Sequence, residues 1–146
     1  MKRAGVVARA IDPASLIAEV QSPQVGGISL FLGTVRDTND GRTVTGLDYS
    51  AYTAMAESEM AEILSEAGER FGVESIVVEH RVGALRLEDV SIAIVAAHAH
   101  RQPAMACTRF VIDEIKKRVP IWKREHYVDG TTQWVDPTHE SGASAL

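Results

Sequence analysis

The chain has 146 residues, 45% hydrophobic and 24% charged, with 15 Lys and Arg against 20 Asp and Glu for a net charge of −5. Such a chain is long enough to bury one continuous core and too apolar to be disordered, and its acidic balance argues against a nucleic-acid-binding surface. A lone cysteine, Cys107, excludes an internal disulfide and fits a cytoplasmic location, while no apolar run approaches the roughly 18–20 residues of a membrane helix and a signal peptide is not expected from the short, charged start Lys2-Arg3.

Val6 to Arg9 reads as a short first strand. Asp12-Pro13 supplies an N-cap and a proline at the first helical position, with Leu16, Ile17 and Val20 as the apolar stripe. Gly26-Gly27 ends that helix, and Ile28 to Leu32 follows as a strongly apolar strand expected at the centre of a sheet. Thr38-Asn39-Asp40-Gly41 is a loop with a tight-turn signal, leading to an amphipathic strand at 43–51. The longest helix is expected over 52–71, with Met55, Met60, Ile63, Leu64 and Ala67 inward and five glutamates on a solvated face.

Strands follow at 75–80 and 90–97, with a turn between them bracketed by Gly83-Ala84 and Glu88-Asp89. A second long helix spans 102–118 with Pro103 in its first turn. Pro120 stops it, so Ile121 onward is extended, and Asp129-Gly130 turns the chain into a last strand at 131–135. Strands and helices mix without strict alternation, which makes the class α+β. Residues 1–136 read as a single domain and 137–146 as a mobile polar tail.

Residues 100–126 hold seven Lys and Arg against three Asp and Glu, a local charge of +4 in an acidic protein. Three polar clusters stand at element ends. Arg36, past the apolar strand, offers a planar fork of donors for phosphate or carboxylate, although a lone loop arginine is usually just solvated. His98-Ala99-His100-Arg101 precedes a helix N-terminus, where backbone N–H groups and the dipole favour anions. Strand alternation would place His98 and His100 on one face, so a metal site completed by His80 is the rival reading.

The third cluster runs from Lys116 to Glu125. If Ala104, Thr108, Val111 and Ile115 form the buried stripe, Lys116 lies along its flank and Lys117 points outward. Lys123, beyond the proline, sits where the chain can fold back toward Lys116, and neighbouring ammonium groups suit proton shuttling. An ordinary basic helix end complementing the dipole is the bland alternative. Cys107 reads as a buried core thiol, and Trp122 and Trp134 as packing residues.

In combination, Phe31-Leu32-Gly33-Thr34-Val35-Arg36-Asp37, Leu47 to Tyr52, His80-Arg81-Val82-Gly83, His100-Arg101 and Val119 to Glu125 resemble the large, catalytic subunit family of molybdopterin synthase. The resemblance covers about residues 26–135. It implies an α/β-hammerhead type of fold with mixed and antiparallel strands, two long helices, and a homodimer within a heterotetramer. At each end a small β-grasp sulfur carrier would insert its C-terminal Gly-Gly thiocarboxylate, and sulfur would pass to cyclic pyranopterin monophosphate to form a dithiolene. By the same resemblance Lys116 and Lys123 are the catalytic lysines. Arg36, His100 and Arg101 bind the anionic substrate, with residues contributed across the dimer interface. No metal or other cofactor is implied. A non-catalytic carrier-binding module and a histidine-based metal hydrolase are the alternatives. Ser50, Glu88, His98 and Met105 depart from the family's usual residues.

Overall fold

In the computed structural model, residues 1–135 are described; the expected tail at 137–146 lies outside them. The elements in order are β1 (Lys2–Val7), α1 (Pro13–Val20), β2 (Gly27–Thr34), β3 (Thr38–Asn39), β4 (Arg42–Ala51), α2 (Thr53–Phe71), β5 (Ser75–Arg81), β6 (Gly83–Arg86), β7 (Val90–His98), α3 (Arg101–Arg118), β8 (Ile121–Tyr127) and β9 (Thr132–Val135). Asp12 caps α1 by accepting from Ala14 N at 3.2 Å, as the Asp-Pro pair predicts.

A four-stranded sheet has the order β1-β5-β7-β2, with β1 and β5 parallel and the other pairs antiparallel. β5 and β7 are buried on both faces because alternate side chains serve different cores. Ile76, Val78, Ile92, Ile94 and Ala96 join the side chains of α2 and α3, whereas Val77, Ala93, Val95 and Ala97 meet Leu16 and Val20 of α1. The second sheet runs β3-β4-β8-β9, with β6 also paired to β4. Its inward residues Leu47, Tyr49 and Ile121 enter the same core as α2 and α3, so one hydrophobic body joins the two sheets.

Several expectations need correction. The strand at 28–32 is an edge strand, not a central one; its apolarity reflects packing on its faces rather than neighbours on both sides, and Leu30 remains 38% exposed. The turn expected at 83–89 contains β6, whose Gly83 to Arg86 pair with Tyr49 to Gly46. The first strand begins earlier, at Lys2, because Lys2 to Val7 pair with Ile76 to Arg81. Met55 points outward at 62% exposure, while Gly68 takes the buried position beside Ala67. A Cβ at Gly68 would lie 2.3 Å from Lys2 Cε and 2.9 Å from Val73 O, which explains glycine inside this helix.

Candidate functional site

β8 alternates buried and half-buried residues along its length, so Lys123 and Glu125 share the inward face with Ile121 and Tyr127. Lys123 is 4% exposed and Glu125 2%, with Nζ and Oε1 3.8 Å apart. Asn39, brought in by the β3–β4 hairpin, donates its amide Nδ2 to the same Glu125 oxygen. The hairpin turns at Asp40 and Gly41, whose φ values of 50° and 76° are the left-handed angles that a two-residue turn requires. Tyr49, opposite Lys123 in register, and Arg36 complete the walls of a pocket of about 20 Å³, room for about one water molecule. Arg36 is itself exposed. It also lines an adjoining open cleft of about 510 Å³ with Thr34, Val35, Asp37, Leu87 and Glu88. The loop opposite is tied to this segment by Val35 N donating to Asp89 O and Glu88 N donating to Val35 O, at 3.0 and 2.8 Å.

The stripe Ala104, Thr108, Val111 and Ile115 is buried as expected, with Cys107 beside it. Lys116 in the last turn of α3 is half-buried and Lys117 faces solvent, pairing with Glu114 at 3.3 Å. Lys116 is not among the pocket walls. The basic segment is less of an anion-binding island than its composition suggests. Arg118 is held by Glu59, Glu66 and Glu114, Arg109 lies 3.9 Å from Asp113, and Arg124 pairs with Asp48 at 2.9 Å. Hydrogen bonds to Glu66 and Glu59 raise the Arg118 pKa further. The acidic face of α2 is accordingly not simply solvated, since Glu59 and Glu66 receive Arg118 and Glu57 accepts from Val6 N at 2.8 Å.

His98, His100 and Arg101 lie at the other end of the molecule. Gly27 is opposite His98 in register, so this cluster sits at the start of β2 and Arg36 lies beyond its end. The seven-residue step along β2 separates them by about 23 Å, and the fifteen-residue step along α3 separates Arg101 from Lys116 by about 22 Å. Within one chain, the five expected site residues are therefore split between two ends. Gly26 and Gly27 allow the cluster its close approach: a Cβ on Gly26 would lie 2.3 Å from Ala99 O. His98 Nδ1 accepts from His100 N at 2.9 Å, and the His100 side chain makes no cap bond to α3.

His80 pairs with Ile92, six residues from His98 along β7 and about 20 Å away. It is buried, with Nδ1 donating to Arg81 O at 2.9 Å, and burial pushes its pKa down to about 4. Among the described residues no three His, Cys, Asp or Glu side chains converge as metal ligands. Burial pushes the Cys107 thiol up to about 11, which suits packing rather than nucleophilic chemistry. Trp122 is half-buried against Tyr52, whereas Trp134 is 57% exposed and so packs less than expected.

The sequence pattern gives Glu125 no role and marks Asn39 only as a turn residue. For Glu125 the signal was available, because two-residue spacing from Lys123 in an extended segment means a shared face. For Asn39, read as a turn residue, only the fold reveals the burial.

A family profile described as MoaE protein matches residues 6–118. The chain belongs to the MoaE family. It is 42% identical over 124 residues to the molybdopterin synthase catalytic subunit of Thermoplasma volcanium, covering 85% of this chain and 90% of that one. Molybdopterin synthase from Staphylococcus aureus superposes with a TM-score of 0.87 at 30% identity, over 92% of this chain and 98% of that one. A chain from the protein–protein complex of subunits 1 and 2 of molybdopterin-converting factor from Helicobacter pylori shares the fold, with a TM-score of 0.73 at 21% identity over 94% and 92%. Of this MoaE chain's departures, Ser50 and Met105 are exposed, and Glu88 holds a left-handed φ of 72°. His98 makes the backbone contact described above.

Proposed function

We propose that this chain is the catalytic subunit of a molybdopterin synthase, a sulfurtransferase of molybdenum-cofactor biosynthesis acting in the cytoplasm. Sulfur passes from the C-terminal thiocarboxylate of a small β-grasp carrier to cyclic pyranopterin monophosphate, twice, to form the dithiolene. The observation that carries this reading is the buried Lys123 in a small pocket that shares Arg36 with an adjoining open cleft of about 510 Å³. The complex of two subunits containing the H. pylori chain supports a small protein partner.

A thiocarboxylate is already nucleophilic, so the protein need not supply a cysteine; positioning, charge stabilisation and proton transfer remain. In this reading the carrier terminus reaches Lys123, and Lys116 and Lys123 donate to the oxygens on which charge develops. Arg36 grips the substrate phosphate with its guanidinium fork. His100 and Arg101, about 23 Å from Arg36 in the same chain, join the cradle from a second copy. The working assembly is then a homodimer with one carrier at each end.

The test mixes the purified chain with thiocarboxylated carrier and cyclic pyranopterin monophosphate and follows the dithiolene product by mass spectrometry. Product that requires both components is the expected result. Carrier binding without product would replace this reading with that of a binding module.

A further inference from the structure

The pocket beside Lys123 holds a polar pair that the sulfur-transfer reading leaves without a task. Asn39 and Glu125 are 7% and 2% exposed. Asn39 Nδ2 donates to Glu125 Oε1, the oxygen that also faces Lys123 Nζ at 3.8 Å. A carboxylate paired with a lysine accepts rather than donates, so the Asn39 amide must turn its NH2 toward Glu125. This fixes the other end of the amide. Among the described residues, Asn39 Oδ1 is buried with no hydrogen-bond partner, on a residue that lines the pocket. Buried carbonyl oxygens without a donor are uncommon and unfavourable, and each calls for an explanation. Packing does not provide one, because a leucine of similar size would fill the same space without the orphaned oxygen.

We propose that Asn39 is a two-sided positioning residue. On one side its N–H holds the Glu125 carboxylate in place, and that carboxylate sets the direction of the Lys123 ammonium. On the other, Oδ1 accepts a hydrogen bond from a peptide N–H at the tip of an incoming chain terminus, a single small group being all that the pocket admits. A terminus ending in glycines fits, since it exposes backbone N–H groups without side chains to exclude it. The inference rests on the sulfur-transfer reading of Lys123. It adds that the β3–β4 hairpin, two residues of strand closed by Asp40-Gly41, is part of the catalytic apparatus.

The test compares the wild-type chain with Asn39→Ala, Asn39→Asp, Glu125→Gln and the double variant Asn39→Asp/Glu125→Gln. Each is assayed for kcat and for carrier KM in dithiolene formation, with melting temperatures alongside. Asn39→Asp sets two acceptors against each other and should lower kcat by about ten- to a hundredfold, the weight of a hydrogen bond to a charged group. The double variant exchanges amide and carboxylate, keeps one negative charge and restores the bond, so kcat should recover by about three- to tenfold over Asn39→Asp, short of wild type because Lys123 then faces a neutral amide oxygen. Asn39→Ala should raise carrier KM as well as lower kcat, because both sides of the amide are lost. Wild-type kcat and KM in Asn39→Ala would overturn the proposal. So would a double variant that melts like wild type yet recovers nothing over the single variants. An inactive wild-type chain, with a carrier and substrate proven competent elsewhere, would remove the sulfur-transfer reading and this inference together.

Discussion

Acid should destabilise this protein through His80 before its carboxylates are exhausted. The imidazole is 1% exposed on β5, edge-on to Tyr49 with ring centres 4.8 Å apart, and its Nδ1–H is committed to the Arg81 carbonyl. Burial dominates, and the bond to Arg81 opposes it only in part, leaving a folded pKa of about 4 against 6.5 for the free group. Between those values the unfolded chain binds the proton and the folded chain does not, so stability rises with pH. The contribution is fully present above about pH 6.5 and is lost as pH falls through 4. A gap of about 2.5 units corresponds to about 3.4 kcal/mol in the limit, of which about 3 kcal/mol is gone by pH 4. Urea unfolding at pH 7.5, 6, 5 and 4 would measure it, with His80→Phe as the reference that keeps an aromatic ring against Tyr49 without the titration. Asp48 and Glu79 also have lowered pKa values and add their own acid dependence, so the difference in slope between the two proteins is the quantity that counts. Equal slopes, or an NMR titration of His80 near 6.5, would refute the reasoning.

Replacing Gly68 with alanine pits helix propensity against packing. Propensity alone favours alanine by about 1 kcal/mol, but the Cβ would press on the Val73 carbonyl, and a net loss of about 1–2 kcal/mol is expected in thermal denaturation. Glu88→Gly should do the reverse, relieving a left-handed backbone for about 1 kcal/mol and raising the melting temperature by about 2–4 °C. In the sulfur-transfer assay, Lys116→Ala and Lys123→Ala should each cut turnover severely, while Lys117→Ala, removing an exposed pair with Glu114, should stay close to wild type. Lys123→Ala also leaves Glu125 buried without its ammonium, at a cost of about 3 kcal/mol, so its unfolding must be measured beside its activity. Full activity in both the Lys116 and Lys123 variants would overturn the site assignment.

Local chemistry made most elements legible from the chain alone. The Asp-Pro cap of α1, the Asp-Gly turns, the stop at Pro120 and the stripe on α3 depend on residues a few positions apart, and each appears where its pattern places it. The same periodicity separated a half-buried Lys116 from an outward Lys117. Which strand stood at an edge was not readable, because an apolar run reports that its faces are covered and says nothing about who bonds to its backbone. β6 was missed for a related reason. Four residues with little pattern of their own become a strand only because β4 offers them a free edge.

The site divides along the same line. Residue type marked Arg36, Lys123, His100 and Arg101 as able to handle anions or protons, and family resemblance gave them roles. Only the tertiary structure decided that Arg36 and Lys123 share a pocket while His100 and Arg101 stand at the far end of β2. It also decided that Arg118 is spent on three glutamates, and that Asn39 is buried against Glu125 across 86 positions of sequence. Secondary structure answers to neighbours within a turn or two, which the sequence lists in order. Burial and charge pairing answer to whatever the folded chain brings alongside, and those neighbours exist only once the two sheets have closed on their common core.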